Sequence, residues 1–265
     1  METILKNHFP GWYQDLAIHP ENYYLVLSDD MDSFYSCRYL KKKTGVEIGG
    51  FYDFSKGLYI RNDLLKSSKH PVYVDIACVL DGVMCFDNHR SIGLNHMSIN
   101  PNIITDRISN KTYYRKYNGS TLMLLVSLFG EDDELTDLEK DFLCAIDAFY
   151  VGYYKDNGAY KHINIEWLEY LGLKEALLPV LEKHNADYFI ELLLNYQLNE
   201  KIFIDDEGVL FTYADILPHD KFSLVMPVEK TYLSKSELEN YPIADRELFV
   251  AAETYSGRYI INSLV

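Results

Sequence analysis

The sequence predicts an α/β protein with a mostly parallel, Rossmann-like sheet and flanking helices. Short apolar runs alternate with helical patterns over the first half of the chain, as in βαβ units. Hydrophobic residues make up 48% of the 265 residues, which is ample for a core. The pattern of strand and helix signals changes along the chain. It predicts an α/β domain over 1–130, a helical segment over 131–198 and a small C-terminal α/β part over 199–265.

The first domain contains four predicted strands and one early helix. The first strand covers 23–27. A helix over 33–43 ends at Thr44-Gly45, and the lysines in its last turn interact favourably with the negative end of the helix dipole. The other predicted strands cover 46–54, 71–77 and 83–86. The polar stretch 91–119 is predicted to be a long loop, and loops of that length are often functional.

The second half is first helical and then returns to short strands. A helix is predicted over 120–129, and Thr136 with Glu139 forms a capping box that opens a helix to about 154. Further helices are predicted over 166–171 and 174–198, and strands over 201–204, 209–213, 222–226 and 259–264.

The charge of the chain bears on its partners. A net charge of −15 and a pI near 4.9 speak against a broad nucleic-acid-binding face. A nuclease with local basic groups remains compatible with this charge. A small anionic substrate, or one neutralised by a metal ion, fits it more easily.

The cysteines and the apolar runs bear on the compartment. Cys37, Cys78, Cys85 and Cys144 form no CxxC pair, so we expect buried free thiols and a reducing, cytoplasmic setting. The N-terminus lacks a signal-peptide pattern. No apolar run reaches the ~18 residues that span a bilayer, so no membrane association is expected.

Acidic residues follow the predicted strands. Asp29, Asp30 and Asp32 come directly after the first strand, Asp75 ends the third, and Asp87-Asn88-His89 follows the fourth. Binding sites in open α/β sheets lie beyond the carboxyl ends of the strands. Crowded carboxylates repel one another, so we expect a hard divalent cation, Mg²⁺ or Mn²⁺, to hold them together.

Each of these acids also has an ordinary structural interpretation. One of Asp30 and Asp32 can cap the following helix, although capping needs only one acid. Asp147 lies in the apolar helical run 143–151, where it is either a partly exposed acid or a buried one that needs a cation.

The order of these pieces resembles the DHH phosphoesterase superfamily. That family's first motif is an apolar strand followed by His-x-Asp-x-Asp-Gly, and this chain has Ser28-Asp29-Asp30-Met31-Asp32-Ser33. The later motifs are matched by Asp75, by Asp87-Asn88-His89 and by Asp147, so the resemblance covers about residues 23–150.

The chain departs from the family at three positions. Ser28 stands where the family has a metal-binding His, Asn88 replaces the first His of its signature, and Ser33 replaces the usual Gly. The ligand set that remains is rich in oxygen: Asp30, Asp32, Asp75, Asp147 and the amide carbonyl of Asn88. Such a set shifts the preference from transition metals toward Mg²⁺ or Mn²⁺.

The resemblance implies hydrolysis of a phosphodiester or phosphoanhydride of a nucleotide or nucleic acid. Two ions ~3.5–4 Å apart would share Asp75 and activate a water. His89 would face the phosphate, with Arg90 as an anion contact. Substrate contacts are predicted for Ser28 and for four residues after the third motif, namely Asn95, Ser98, Asn100 and Asn102.

Two other functions remain open from the sequence. The lost imidazoles at positions 28 and 88 favour a catalytically degenerate module that binds a nucleotide or a protein. A haloacid-dehalogenase-like phosphatase would instead use Asp30 as nucleophile and Asp32 as acid and base. That alternative needs a later Lys and a closing acidic pair, for which Asp205-Asp206 after 201–204 is the candidate.

Overall fold

A computed structural model describes residues 3–93, 95–104, 112–130, 135–213, 217, 219–241, 247–255 and 257–265 of this chain. Its helices are α1 (Thr3–His8), α2 (Asp15–Ile18), α3 (Met31–Thr44), α4 (Pro101–Ile104), α5 (Thr121–Phe129), α6 (Asp137–Ala145), α7 (Phe149–Gly158), α8 (Lys161–Leu171), α9 (Lys174–Lys183), α10 (Ala186–Asn195) and α11 (Lys235–Glu239). Its strands are β1 (Tyr23–Leu27), β2 (Ile48–Asp53), β3 (Gly57–Arg61), β4 (His70–Val74), β5 (Cys85–Phe86), β6 (Arg90–Ser91), β7 (Ser98–Ile99), β8 (Phe203–Ile204), β9 (Leu210–Phe211), β10 (Phe222–Ser234), β11 (Leu248–Tyr255) and β12 (Arg258–Leu264).

The main sheet is mixed. Among the described residues its strand order is β6-β11-β12-β10-β3-β2-β1-β4-β5-β7. The run β2-β1-β4-β5-β7 is parallel, whereas every pairing from β2 to β3 and onward to β6 is antiparallel. The α/β class is therefore confirmed, but a mostly parallel, Rossmann-like sheet is not supported, because long antiparallel strands from the end of the chain extend it.

The parallel run has a topological switch point. The chain passes from β1 to β2 on one side, and later returns to place β4 on the other side of β1. Strands that leave a central strand in opposite directions open a crevice beyond their carboxyl ends, where α/β proteins bind ligands. The acids after β1 and β4 lie at this crevice.

The antiparallel part curls back over the parallel part. The backbone N–H of Ala251 donates to the carbonyl of Ala77 at 3.2 Å, and that of Val79 donates to Phe249 at 2.9 Å. The strand β6 also pairs with β11. The predicted boundary at 199 stays a prediction, although β10–β12 extend the sheet of the first domain.

Both faces of the parallel strands are buried, since side chains alternate along a strand. Leu25 and Leu27 of β1 face the helices in one apolar cluster. Tyr24 and Val26 face the inside of the curl, in a second cluster that includes Phe249. This two-sided burial explains why β1 has a continuous apolar sequence.

Most predicted helices are present with different ends. The capping box of Thr136 and Glu139 is confirmed at the start of α6. The predicted helix to 154 is interrupted at Asp147, which has φ 58° and ψ 17°. The predicted helix 174–198 is divided before Asn185, whose side chain caps α10 by accepting the N–H of Tyr188 at 3.0 Å.

The predicted loop 91–119 contains β7 and α4, while residues 94 and 105–111 lie outside the described residues. Cys37, Cys78, Cys85 and Cys144 are free and buried, as predicted. In the part of the chain that the structure describes, no helix combines the length and apolar character needed to cross a membrane. The cytoplasmic setting stays a prediction.

Candidate metal centre

Carboxylates from three distant parts of the chain converge beyond β1 and β4. Asp32, Asp75 and Asp147 each offer an oxygen within 4.8 Å of the others. Asp75 also belongs to a second group of the same compactness, with Asp87 and His89. Ligands on opposite sides of Mg²⁺ lie ~4.2 Å apart, since each is ~2.1 Å from the ion. The first group is therefore close to the spacing that a hard divalent cation imposes.

Asp32 lies in the first turn of α3 and is held by the start of α5. Its Oδ2 accepts the backbone N–H of Thr121 at 2.7 Å, and its Oδ1 accepts that of Leu122 at 2.9 Å. Burial raises the pKa of Asp32 well above its usual range, and the charges of Asp147 and Asp30 raise it further. The helix N-terminus thus offsets only part of the cost of charge at this position.

Asp75 is the shared member of both groups. It follows β4 in a left-handed conformation, with φ 60°, and its Oδ1 accepts the hydroxyl of Thr121 at 2.9 Å. Burial raises the pKa of Asp75 strongly, and Asp32 is the next contributor. A buried acid beside other acids is stable as a carboxylate only with a compensating positive charge.

Asn88 supplies an unpaired oxygen beside these acids. Its amide nitrogen donates to the carbonyl of Gly119 at 2.9 Å and to the carboxylate of Asp147. Both partners are acceptors, so the amide orientation is fixed and Oδ1 faces away from them. That oxygen is buried and has no hydrogen-bond partner among the described residues. A buried carbonyl in this state is suited to a cation or a donor.

His89 is held in place by Asp87. The Nδ1 of His89 lies 2.8 Å from Oδ1 of Asp87 and 4.0 Å from Oδ1 of Asp75. Burial alone would lower the pKa of His89, but the charge of Asp87 raises it to about 9. His89 is therefore an imidazolium at neutral pH in the absence of an ion, and it faces the acids as a hydrogen-bond donor.

Asp29 and Asp30 have a partner that sequence reasoning did not assign. The ammonium of Lys201 lies 3.1 Å from Oδ1 of Asp29 and 3.6 Å from Oδ2 of Asp30. Asp30 also caps α3 by accepting the N–H of Ser33 at 3.1 Å. The structural role expected for one acid of this motif is thus confirmed for Asp30, and Asp32 is the acid left to face the cluster.

The serines that depart from the family motif join the two central strands. The hydroxyl of Ser33 accepts the N–H of Ser28 at 2.7 Å and donates to the carbonyl of Val74 at 2.7 Å. Ser33 therefore fixes the end of β1 to the end of β4. The hydroxyl of Ser28 is buried without a hydrogen-bond partner among the described residues.

The predicted substrate contacts lie in different places. Asn100 donates to Oδ2 of Asp87 at 2.8 Å, and Asn102 donates to the carbonyl of Asn88 at 2.5 Å. Both therefore hold the segment Asp87-Asn88-His89 in place through hydrogen bonds. Asn95 donates to the carbonyl of Val83 at 2.7 Å, away from the acids. Their roles toward a substrate stay predictions.

Two further predicted residues lie outside the cluster in their described contacts. Arg90 pairs with Glu253, its Nη1 lying 2.5 Å from Oε2. Ser98 is a buried residue of β7, next to β5 in the sheet. The anion contact predicted for Arg90 stays a prediction.

A cleft of about 300 Å³ lies over the acids. Acids, His89 and Lys201 line one side of it, and residues of the curled strands line the other. Its lining residues are Asp29, Asp30, Phe54, Asp75, Ala77, His89, Lys201, Lys230, Val250, Ala252, Thr254 and Ile260.

No protein-family model, curated protein or solved structure matches this chain. The resemblance to the DHH phosphoesterases therefore rests on the sequence motifs alone and stays a prediction.

Proposed function

We propose that this protein is a divergent, metal-dependent phosphoesterase that hydrolyses a phosphodiester or phosphoanhydride of a nucleotide. The observation that carries the proposal is the convergence of Asp32, Asp75 and Asp147 at the switch point of the sheet. The parallel run β2-β1-β4-β5-β7 supports the proposal, because it places the acids after β1 and β4 at the same edge of the sheet.

The residues present fit Mn²⁺ or Mg²⁺. The three carboxylates and the unpaired Oδ1 of Asn88 form an all-oxygen ligand set, which hard cations prefer. A cation would also offset the burial and the mutual repulsion that raise the pKa values of Asp32 and Asp75. In the two-ion form of the proposal, Asp75 and Asp87 would hold the second ion, and His89 would face the phosphate.

Metal ions at this position would supply an activated water and stabilise negative charge on the phosphoryl oxygens. The chain's own residues would do the rest. Asp87 keeps His89 oriented, and the imidazole of His89 can donate a hydrogen bond to a phosphoryl or leaving oxygen. Asn100 fixes the orientation of Asp87 by donating a hydrogen bond to its Oδ2.

A degenerate binding module is the second candidate, and one observation favours it. Asp32 already accepts two backbone N–H groups, and Lys201 neutralises part of the charge on Asp29 and Asp30. The cluster is thus partly compensated without an ion.

The haloacid-dehalogenase-like alternative has less support. Its closing acid Asp205 lies in the exposed turn between β8 and β9, where it accepts the N–H groups of Glu207 and Val209. It also leaves Asp75 and His89 without a role.

The test is turnover of bis-p-nitrophenyl phosphate by the full chain with Mn²⁺ or Mg²⁺. We expect metal-dependent release of nitrophenol that falls at least about 100-fold in Asp75→Asn. Losing a residue that hydrogen-bonds to a metal ligand already lowers activity by up to about 100-fold, and losing the ligand itself should lower it at least as much. Asp63→Asn is the matched control, since Asp63 is exposed and pairs only with Arg61 in its described contacts. Equal turnover in wild type and Asp75→Asn would contradict the proposal.

A further inference from the structure

The cleft over the acids has two unlike sides. One side holds Asp29, Asp30, Asp75 and His89, and the other is built from β10, β11 and β12. Main-chain hydrogen bonds fix the second side to the first, because Ala251 and Phe249 of β11 bond to the segment that follows β4. The width of the cleft is therefore set by the sheet.

Two lysines reach this cleft from different elements. Lys201 contacts Asp29 and Asp30, as described above. Lys230 comes from β10, where its ammonium lies 5.1 Å from the centre of the Tyr232 ring. Lys230, Lys201 and Asp29 all line this cleft, so both ammonium groups face the same space.

Apart from Lys230 and Thr254, the side of the cleft opposite the acids is lined by apolar residues. Phe54 follows β2, while Val250 and Ile260 project from β11 and β12. Ligand pockets are usually apolar with a few charged groups that fix orientation, and they span ~300–1,000 Å³. A cleft of about 300 Å³ is at the small end of that range.

We propose that Lys201 and Lys230 bind a phosphate group of the substrate, and that Phe54, Val250 and Ile260 hold its organic part. The substrate is then a phosphate ester of about nucleoside size, and long nucleic acid is excluded. This inference rests on the proposed function, because the bound phosphate would lie beside Asp75, which belongs to both the cleft and the proposed metal site. The net charge of −15 agrees with it, since polymers are bound through extended basic surfaces.

The lysines have a plainer alternative role as counter-ions of the acids. If a lysine acts only as a counter-ion, its removal should change metal binding or stability. Its removal should not lower the affinity for phosphate. The two roles are therefore separable by measuring phosphate and metal independently.

The test is calorimetric titration of the full chain, in Mn²⁺, with inorganic phosphate and with AMP. We expect Lys201→Met and Lys230→Met each to weaken both ligands about tenfold or more, because each removes a charge-assisted hydrogen bond. Phe54→Ala should weaken AMP alone. Lys221→Met is the matched control, because Lys221 is exposed and pairs with Glu207 at 3.7 Å.

Thermal melting of each variant with Mn²⁺ alone separates the two proposals. Lysine variants that respond to Mn²⁺ yet bind phosphate and AMP like the wild type would overturn this inference and leave the phosphoesterase intact. Lysine-dependent AMP binding in a protein that ignores Mn²⁺ would support the subsite and contradict the metal-dependent function. Tighter binding of a 12-nucleotide single strand than of AMP would overturn the size limit.

Discussion

Thr121 joins the two central acids of the candidate site. Its backbone N–H donates to Asp32 and its hydroxyl donates to Asp75, so one residue sets the distance between the two carboxylates. It comes at the start of α5, immediately after the capping residue Ser120. Thr121 is thus a positioning residue for the proposed ion.

Replacing Thr121 by Val should remove the hydroxyl while keeping a similar shape. We expect the free energy of unfolding to fall by about 1–3 kcal/mol, because a buried carboxylate oxygen loses its donor. Urea denaturation measures this change. Thr121→Ser keeps the donor and should stay within about 1 kcal/mol of the wild type. No loss in Thr121→Val together with a clear loss in Thr121→Ser would show that the methyl group matters and the hydrogen bond does not.

At the scale of residues, the sequence predicts acids much better than their partners. Asp30, Asp32 and Asp75 were recognisable because each follows a short apolar strand, and the end of a strand is a local signal. Lys201 lies about 170 positions beyond Asp29 and Asp30, and only the fold brings them together. A positive partner was expected for these acids, but no local pattern identifies which lysine provides it.

The break between α6 and α7 places Asp147 at the cluster. Residues on both sides continue the helical pattern, yet Asp147 adopts a left-handed conformation with φ 58°. Asp and Asn tolerate that conformation better than other residues with side chains. The break turns the carboxylate toward Asn88.

Two substitutions separate the charge of Asp147 from its backbone conformation. Asp147→Asn keeps a residue that tolerates positive φ, so we expect near wild-type stability and weaker Mn²⁺ binding. Asp147→Ala should also weaken Mn²⁺ binding and cost about 1–2 kcal/mol more in stability from the left-handed backbone. Denaturation and Mn²⁺ titration of both variants measure these effects. Unchanged Mn²⁺ affinity in Asp147→Asn would remove Asp147 from the ligand set.

Strong local patterns account for the elements that the sequence predicted. The β1 run, the capping box of α6 and the apolar run of α5 have local signals and are present. The strand β11 was missed because Ala251, Ala252 and Glu253 have low strand propensity. Tertiary packing inside the curl, with Phe249 buried, makes this segment a strand.

The curl of the sheet depends on aromatic contacts between the two ends of the chain. The ring of Phe249 lies 5.5 Å from that of Tyr52 and 5.1 Å from that of Tyr73. Tyr52 and Tyr73 belong to β2 and β4, so Phe249 packs the C-terminal strands on the parallel strands. The same contact supports the side of the cleft that faces the acids.

Phe249→Ala should destabilise the whole fold by about 3–5 kcal/mol, because it empties a large buried volume. Phe211→Ala is the matched control, since 41% of Phe211 is exposed, and it should cost less than about 1 kcal/mol. Chemical denaturation measures both variants. A small effect of Phe249→Ala would indicate that the C-terminal strands are held mainly by their backbone pairing.

At the scale of the molecule, the sequence predicted the class but not the sheet. Alternating strand and helix signals indicate parallel pairing of neighbours, which is found from β2 to β7. The pairing of β10 with β3 joins residues about 160 positions apart. No local pattern specifies such a pairing, so the mixed sheet and the second side of the cleft came only from the structure.

The most direct test for a divalent ion at Asp75 is thermal melting of the wild type and of Asp75→Asn, with and without millimolar Mn²⁺ or Mg²⁺. A ligand that binds only the native state stabilises it by about 2.7 kcal/mol at 100 times its Kd. We predict a metal-dependent rise in the melting temperature of the wild type that is absent in Asp75→Asn. No rise in the wild type at millimolar metal would contradict a divalent ion site and leave the binding module as the better account.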